Sequence, residues 1–166
     1  MKRDPWYKRV LQLSFGEITL RKARYNTDCK PCFQLAKVPE LKLPNGKYTP
    51  QGYFDTLITS AVYSPPDRAA IFIVAVNEKT GKLVGFVAGE RAVGKLAILW
   101  MIVTSPKHRR CGIGKALIEA FEEECNREYI VLYAPMFNKA TVEFYKSVGY
   151  DYGTEVVEFG KVRRLK

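Results

Sequence analysis

The sequence predicts an α/β (α+β) fold, a mixed, mostly antiparallel sheet with helices on both faces. Two observations carry that expectation. Residues 69–104 read as three apolar, β-branched runs joined by short turns, and strand and helix patterns alternate after them. The chain has 166 residues, 47% of them hydrophobic and 13% aromatic, which suits one packed domain and excludes a disordered chain. Its longest apolar runs, near Ile71–Val76 and Ala97–Val103, have strand length and fall short of the roughly 18 residues of a membrane span. The charged start, Met1-Lys2-Arg3-Asp4, is unlike a secretory signal, so a cytoplasmic protein is expected.

Taken in order, residues 1–16 read as an N-terminal arm or extra strand, and 17–166 as a single domain. Glu17–Ala23 alternates around Ile18 and Leu20 as a strand does, and residues 25–38 are weakly helical. Val38–Gln51 holds Pro39, Pro44, Asn45-Gly46 and Pro50 and is expected to be a loop. Gly52–Tyr63 places Phe54, Leu57, Ile58 and Ala61 at helical spacing before Pro65-Pro66 stops it. The runs Ala69–Val76, Leu83–Gly89 and Leu96–Thr104, separated by turns at Asn77–Lys82 and Arg91–Gly94, form a meander. Ile113, Ala116, Leu117, Ala120 and Phe121 then make one buried helical stripe, with Lys115, Glu119, Glu122 and Glu123 on the wet side. A short strand at Tyr129–Ala134, a helix at Asn138–Val148 ended by Gly149, and a strand-like Thr154–Leu165 complete the pattern. The helix between the third meander strand and Tyr129–Ala134 implies a parallel crossover.

The net charge is +10, and residues 1–60 carry 11 basic side chains against 5 acidic. Lys107, Arg109, Arg110 and Lys115 crowd a stretch free of acids, whereas Glu119, Glu122, Glu123, Glu124 and Glu128 make one helix acidic. Such a surplus favours anionic partners without choosing among them. Cys29 and Cys32 form a CxxC, but Cys111 and Cys125 stand alone and His108 is the sole histidine. With no second ligand pair no metal site is expected, and ordinary thiols or one local disulfide fit better than a redox motif.

The stretch from Ile102 to Lys115 carries the chemistry. A strand runs into a basic loop, and a helix starts at its glycines, so unpaired N–H groups and the positive end of the helix dipole face whatever sits there. Gly112 and Gly114 let a phosphate approach the backbone, and Arg109, Arg110 and Lys115 add cationic donors. A Walker A loop fails, with Arg109 at its first glycine and Ala116 at its Ser/Thr, and a dinucleotide fingerprint fails at Leu117. The competing reading is a tight turn with a solvated basic face.

Arg109-x-x-Gly112-x-Gly114 resembles the R/Q-x-x-G-x-G/A pyrophosphate loop of the GNAT superfamily of acyl-CoA N-acyltransferases. Thr104-Ser105-Pro106 is similar to its strand-ending V-x-P. Asn138-Lys-Ala140…Tyr145…Gly149-Tyr150 resembles its N-x-x-A-x-x-x-Y-x-x-x-G-F/Y segment, with the spacing off by one at the alanine. The resemblance runs from about Leu83 to Tyr152 and more faintly back to Glu17. It implies a GNAT-type sheet whose third meander strand splays from the next strand (the family's fourth and fifth) to admit acyl-CoA. Main-chain groups of Ile102, Val103 and Thr104 would pair with the pantetheine arm. The N–H groups of Arg109, Arg110, Cys111, Gly112, Ile113, Gly114 and Lys115 would hold the pyrophosphate, and an N–H near Ile102 would polarise the thioester carbonyl. Asn138 would touch the pantetheine or thiol end, or simply cap its helix. Tyr145 would protonate the departing thiolate, or simply pack as an aromatic beside Phe144.

The family's glutamate on the third meander strand has no counterpart in Ala97–Val103, which leaves Glu90, at the end of the preceding strand, or a chain of waters as the base; the competing and favoured reading of Glu90 is a solvated turn charge. Glu40 and Asp55 fall in the region that would shape the acceptor side, and nothing in the sequence singles them out. His108 and Cys111 are expected to be solvated or phosphate-facing side chains of the loop. The implied activity is transfer of an acetyl group from acetyl-CoA, as co-substrate, to a primary amine: a protein N-terminus, a lysine or a small amine. The rival reading is a non-catalytic domain of this type that binds nucleic acid or acidic proteins through its basic surface, nucleic acid being disfavoured by the absence of a recognisable binding module. No membrane partner is expected; the acceptor and the oligomeric state are not encoded in any motif.

Overall fold

The computed structural model describes residues 8–43, 46–65, 69–134 and 138–153. The chain divides into two compact units, residues 1–133 and 134–166.

In the first unit, one six-stranded sheet has its strands in the order of the sequence, with its central strands buried on both faces. β1 (Lys8–Leu13) and β2 (Gly16–Lys22) form a hairpin, and β2 pairs antiparallel with β3 (Ala70–Asn77). β3, β4 (Lys82–Arg91) and β5 (Leu96–Thr104) are the antiparallel meander. β6 (Tyr129–Leu132) lies parallel to β5, as a helical crossover requires. Three helices cover this sheet: α1 (Tyr25–Leu35), α2 (Gln51–Tyr63) and α3 (Ile113–Cys125). The segment expected to be all loop holds a 3₁₀ turn at Pro39–Leu41, and a second such turn lies at Pro106–His108. The second unit contains α4 (Lys139–Ser147). Residues 1–7 of the N-terminal arm and the strand-like Thr154–Leu165 lie outside the described residues.

α1 and α2 share one face of the sheet with Phe72, Val74, Phe86, Ala88 and Val103. Phe86 anchors that core, stacked on Phe72 at 5.3 Å and edge-on to Phe54 at 5.9 Å between ring centres. Cys29 and Cys32 fall on one side of α1, because residues three apart share a helix face, and both are buried free thiols in this core. Burial and the nearby Asp55 carboxylate push the Cys29 thiol up to about 11, and burial also raises Cys32. Asp28, beside them on α1, is buried because Arg21 of β2 grips it with two bonds of 2.6 and 3.0 Å and the Arg24 N–H donates at 2.6 Å.

α3 lies on the opposite face, seated over the glycines of β4. A Cβ on Gly85 would meet Leu117 at 3.1 Å, and one on Gly89 would meet the Phe121 ring at 2.6 Å. The acidic residues of this helix are less solvated than their periodicity suggests. Glu119 pairs with Arg9 of β1 at 2.8 Å, and Glu124 pairs with Lys22 of β2 at 2.9 Å and with Arg91 of β4 at 3.2 Å.

Replacing Gly89 by alanine is therefore expected to cost about 1–3 kcal/mol through overpacking. That corresponds to about 2–4 °C in melting temperature for each kcal/mol in a chain of this size. Gly52→Ala, in α2 with open space around its Cα, is expected to raise the melting temperature slightly. Thermal denaturation followed by circular dichroism checks both.

Candidate active site

The basic loop sits between the end of β5 and the start of α3. Arg110 (φ 60°) and Gly112 (φ 84°) both adopt left-handed backbone, the second at no steric cost because it lacks a Cβ. No side chain caps α3, so the N–H groups of its first turn keep their capacity for an acceptor from outside the helix. Nothing lies within 4 Å of where a Gly112 Cβ would be. An uncapped helix start, an open glycine and the exposed cations Arg109, Arg110 and Lys115 fit a pyrophosphate.

Arg109 is already engaged. Its Nη1 donates to Oε1 of Glu40 at 2.8 Å, and this bond holds the Glu40 carboxyl below the usual carboxylate range. The sequence reading had no ground for choosing Glu40; the two residues are 69 positions apart. His108, expected to be solvated or to face phosphate, instead packs its ring against Phe15 of the β1–β2 turn at 4.9 Å, with Nδ1 buried. Cys111 is half-buried, and its thiol leans on the Arg109 carbonyl at 3.4 Å.

β5 has two different edges. Along one it pairs with β4 over its length; along the other its pairing with β6 runs only from Leu96 to Leu99. The Ser105 N–H donates to the Val84 carbonyl, and the Val103 carbonyl also points to β4. Strand alternation therefore turns the main-chain groups of Ile102 and Thr104 to the edge that β6 leaves open, and those of Val103 inward. Ile102 and Thr104 thus have the placement expected of strand-like partners for a pantetheine arm; Val103 does not offer its N–H or C=O to that edge.

The ladder also skips a residue: Ala88 faces Met101 and Gly89 faces Leu99, so Trp100 is the extra residue of a bulge. The bulge turns Trp100 and Met101 to the face that carries α1 and α2. No glycine, proline or charge marks it in the sequence, and the interruption lies two residues before Ile102.

Glu90 is expected at a turn; it lies inside β4, half-buried, opposite Ala70 and Ile98. It shares the α1–α2 face with Phe86 and Ala88, and its charge, after burial, raises the Tyr53 phenol of α2. On the same side, a cleft of about 360 Å³ opens between α1 and α2, lined by residues that include Tyr25, Asn26, Gln51 and Asp55.

In the second unit, Asn138 caps α4, its Oδ1 accepting from the Thr141 N–H at 3.2 Å. Gly149 (φ 95°) closes the helix: its N–H donates to the Lys146 carbonyl and the Tyr150 N–H to the Tyr145 carbonyl. The Tyr145 ring packs between Phe144 at 5.3 Å and Tyr150 at 6.0 Å, and burial pushes its phenol up to about 12.

A strand with an open edge leading to an uncapped, glycine-started helix is the arrangement on which the comparisons with known proteins bear. The family model described as an acetyltransferase (GNAT) domain matches residues 68–152, just over half of the chain. The chain belongs to the GNAT acetyltransferase family. It is an acyl-CoA-dependent acetyltransferase. Solved structures share the fold at low identity. An aminoglycoside acetyltransferase from an uncultured soil metagenomic sample, in complex with trehalose, is 21% identical with a TM-score of 0.65, over 89% of this chain and 97% of that one. Glucosamine-6-phosphate N-acetyltransferase from Arabidopsis thaliana is 19% identical with a TM-score of 0.64, over 87% and 97%. Ribosomal-protein-alanine N-acetyltransferase from Brucella melitensis biovar Abortus 2308 is 24% identical with a TM-score of 0.61, over 86% and 99%. No curated protein matches the sequence. Among the described residues no helix is long and apolar enough to cross a membrane, and no cluster of three or more metal-ligating side chains occurs.

The GNAT chain should hold the Tyr145 proton well beyond neutral pH. Because the folded phenol titrates near 12 and an unfolded one near 10, its contribution to stability is complete below pH 10 and is lost as pH rises toward 12. Spectrophotometric titration of the parent against Tyr145→Phe is expected to show one high-titrating tyrosine missing from the variant.

Proposed function

We propose that the chain transfers an acetyl group from acetyl-CoA to a primary amine by direct attack in a ternary complex. The observation that carries this reading is the open edge of β5 running into the uncapped start of α3. On it, Ile102 and Thr104 offer main-chain groups to a pantetheine arm, with Val103 fixing their direction through its bond to β4. The N–H groups from Arg109 through Lys115, with the Arg109, Arg110 and Lys115 side chains, bind the pyrophosphate.

Acetyl-CoA supplies the activated acetyl thioester. A preorganised backbone N–H near the Trp100 bulge or Ile102 stabilises the charge that develops on the carbonyl oxygen. Glu90 takes the proton from the attacking amine, directly or through water, from a half-buried position on β4. Tyr145 gives its proton to the departing thiolate, a role compatible with a phenol that stays protonated across the working range. The Asn138 carboxamide oxygen caps α4, which leaves its NH₂ available for the pantetheine or thiol end. The acceptor class is a protein N-terminus, a lysine or a small amine, selected around α1, α2 and the segment between them. The fold neighbours include proteins named as an aminoglycoside acetyltransferase and a ribosomal-protein-alanine N-acetyltransferase, so shared fold does not choose among acceptors.

Calorimetric titration with acetyl-CoA is expected to give micromolar binding to the parent, lost in an Arg109→Ala/Gly112→Glu variant. Absence of binding by the parent would redirect attention to the basic surface as a binding site for acidic partners. With an amine substrate in hand, Tyr145→Phe is expected to lower kcat about 10²-fold or more while leaving the KM for acetyl-CoA nearly unchanged. An unchanged kcat would remove Tyr145 from the mechanism. Glu90→Gln is expected to lower kcat while leaving the KM for acetyl-CoA nearly unchanged.

A further inference from the structure

We infer that Glu40 is a positioning residue that occupies Arg109 until the cofactor binds, so that cofactor binding frees the segment following α1. This rests on the pyrophosphate site proposed above. Glu40 lies on the 3₁₀ turn Pro39–Leu41, and its carboxylate reaches across to Arg109 at 2.8 Å. The loop from Lys107 to Lys115 contains no acid of its own, so this carboxylate is brought in from a distant part of the chain.

Its sign is wrong for a helper. A carboxylate beside a site for a doubly charged pyrophosphate repels the ligand it would neighbour. The same guanidinium can instead make paired, charge-assisted bonds to phosphate oxygens. When the pyrophosphate takes Arg109, Glu40 loses its charged partner among the described residues and gains a like charge nearby, and both changes drive it away from the loop. What leaves with it is the exposed turn itself, since Val38 just before it is buried in the core. The turn is closed by local bonds from the Leu41 and Lys42 N–H groups to the Val38 and Pro39 carbonyls, with Leu41 packed at the edge of the core. The segment continues directly from α1, which lies on the face of the sheet that carries Glu90. Glu40 therefore couples cofactor binding to the conformation of the acceptor side, and by reciprocity an acceptor that favours the released segment tightens cofactor binding.

Both side chains are more than a third exposed, at 45% and 37% for Arg109 and Glu40, so the effect is modest and measurable. Calorimetric titration with CoA is made on the parent, Glu40→Gln, Arg109→Ala and the double variant. Amide hydrogen exchange of residues 37–43 is followed in the parent and in Glu40→Gln, with and without CoA. Glu40→Gln is expected to bind CoA about two- to five-fold tighter than the parent, the range of an exposed ion pair. In the Arg109→Ala background the same substitution is expected to have less effect. Exchange in 37–43 is expected to quicken on CoA addition in the parent and to be fast already in Glu40→Gln. Equal or weaker CoA binding by Glu40→Gln overturns the inference. So does an undiminished gain in the Arg109→Ala background, which reports simple repulsion, or slower exchange on CoA binding. A parent that fails to bind CoA removes the cofactor site itself, and the inference with it; CoA bound equally by parent and Glu40→Gln removes this inference alone.

Discussion

The close seat of α3 on β4 is the constraint on which the site depends. Gly85 and Gly89 leave the sheet bare where Leu117 and Phe121 press against it, so the helix lies nearer the strand than any side chain on β4 would permit. Ion pairs from Arg9, Lys22 and Arg91 to Glu119 and Glu124 tie the helix across three strands and limit its freedom to slide. With the body of α3 held this way, the position of its first turn follows. The left-handed Gly112 then brings the chain from β5 into the helix with its leading N–H groups uncapped. The anion site proposed at this helix start would thus arise from packing many residues away from it.

β5 shows how one strand can serve structure and chemistry together. Its first half is held between β4 and β6, which fixes its path; its second half has β4 alone among the described residues, which leaves main-chain groups facing outward. The bulge at Trp100 divides the two parts and turns two consecutive side chains into the core of the α1–α2 face. Most of the recognition proposed for the cofactor is therefore backbone recognition. Backbone recognition of this kind lets the stretch Ala97–Val103 be wholly apolar and still belong to the proposed site. The carboxylate proposed for proton transfer comes from elsewhere in the sheet, Glu90 on the neighbouring strand.

The meander, the crossover and all four helices were legible because apolar periodicity reports which face of an element is buried, and glycine or proline marks where it ends. Leu96–Thr104 matches its expected bounds, and Gly149 ends α4 through the expected left-handed cap. Errors fell where a neighbour overrode local pattern. Glu90 belongs to β4 because Ala70 and Ile98 pair with it, extending the strand past the charge that suggested a turn. His108 is covered by Phe15, a residue from the N-terminal hairpin that no local rule could bring to it. The CxxC, expected to be ordinary thiols or one local disulfide, is a pair of buried free thiols on one apolar side of α1.

By itself the sequence determined the class of fold, the order of its elements, and which loop brings glycines and arginines together at a helix start. Those properties depend on residues close together in the chain: hydrophobic period, turn residues, glycines beside arginines. Only the tertiary structure decided which edge of β5 stays open, where its bulge falls, and that Glu40 holds Arg109. Each of these depends on register or charge between segments far apart in sequence. A pattern within one segment carries no information about the partner it will meet, because that choice is made by the packing of the whole sheet.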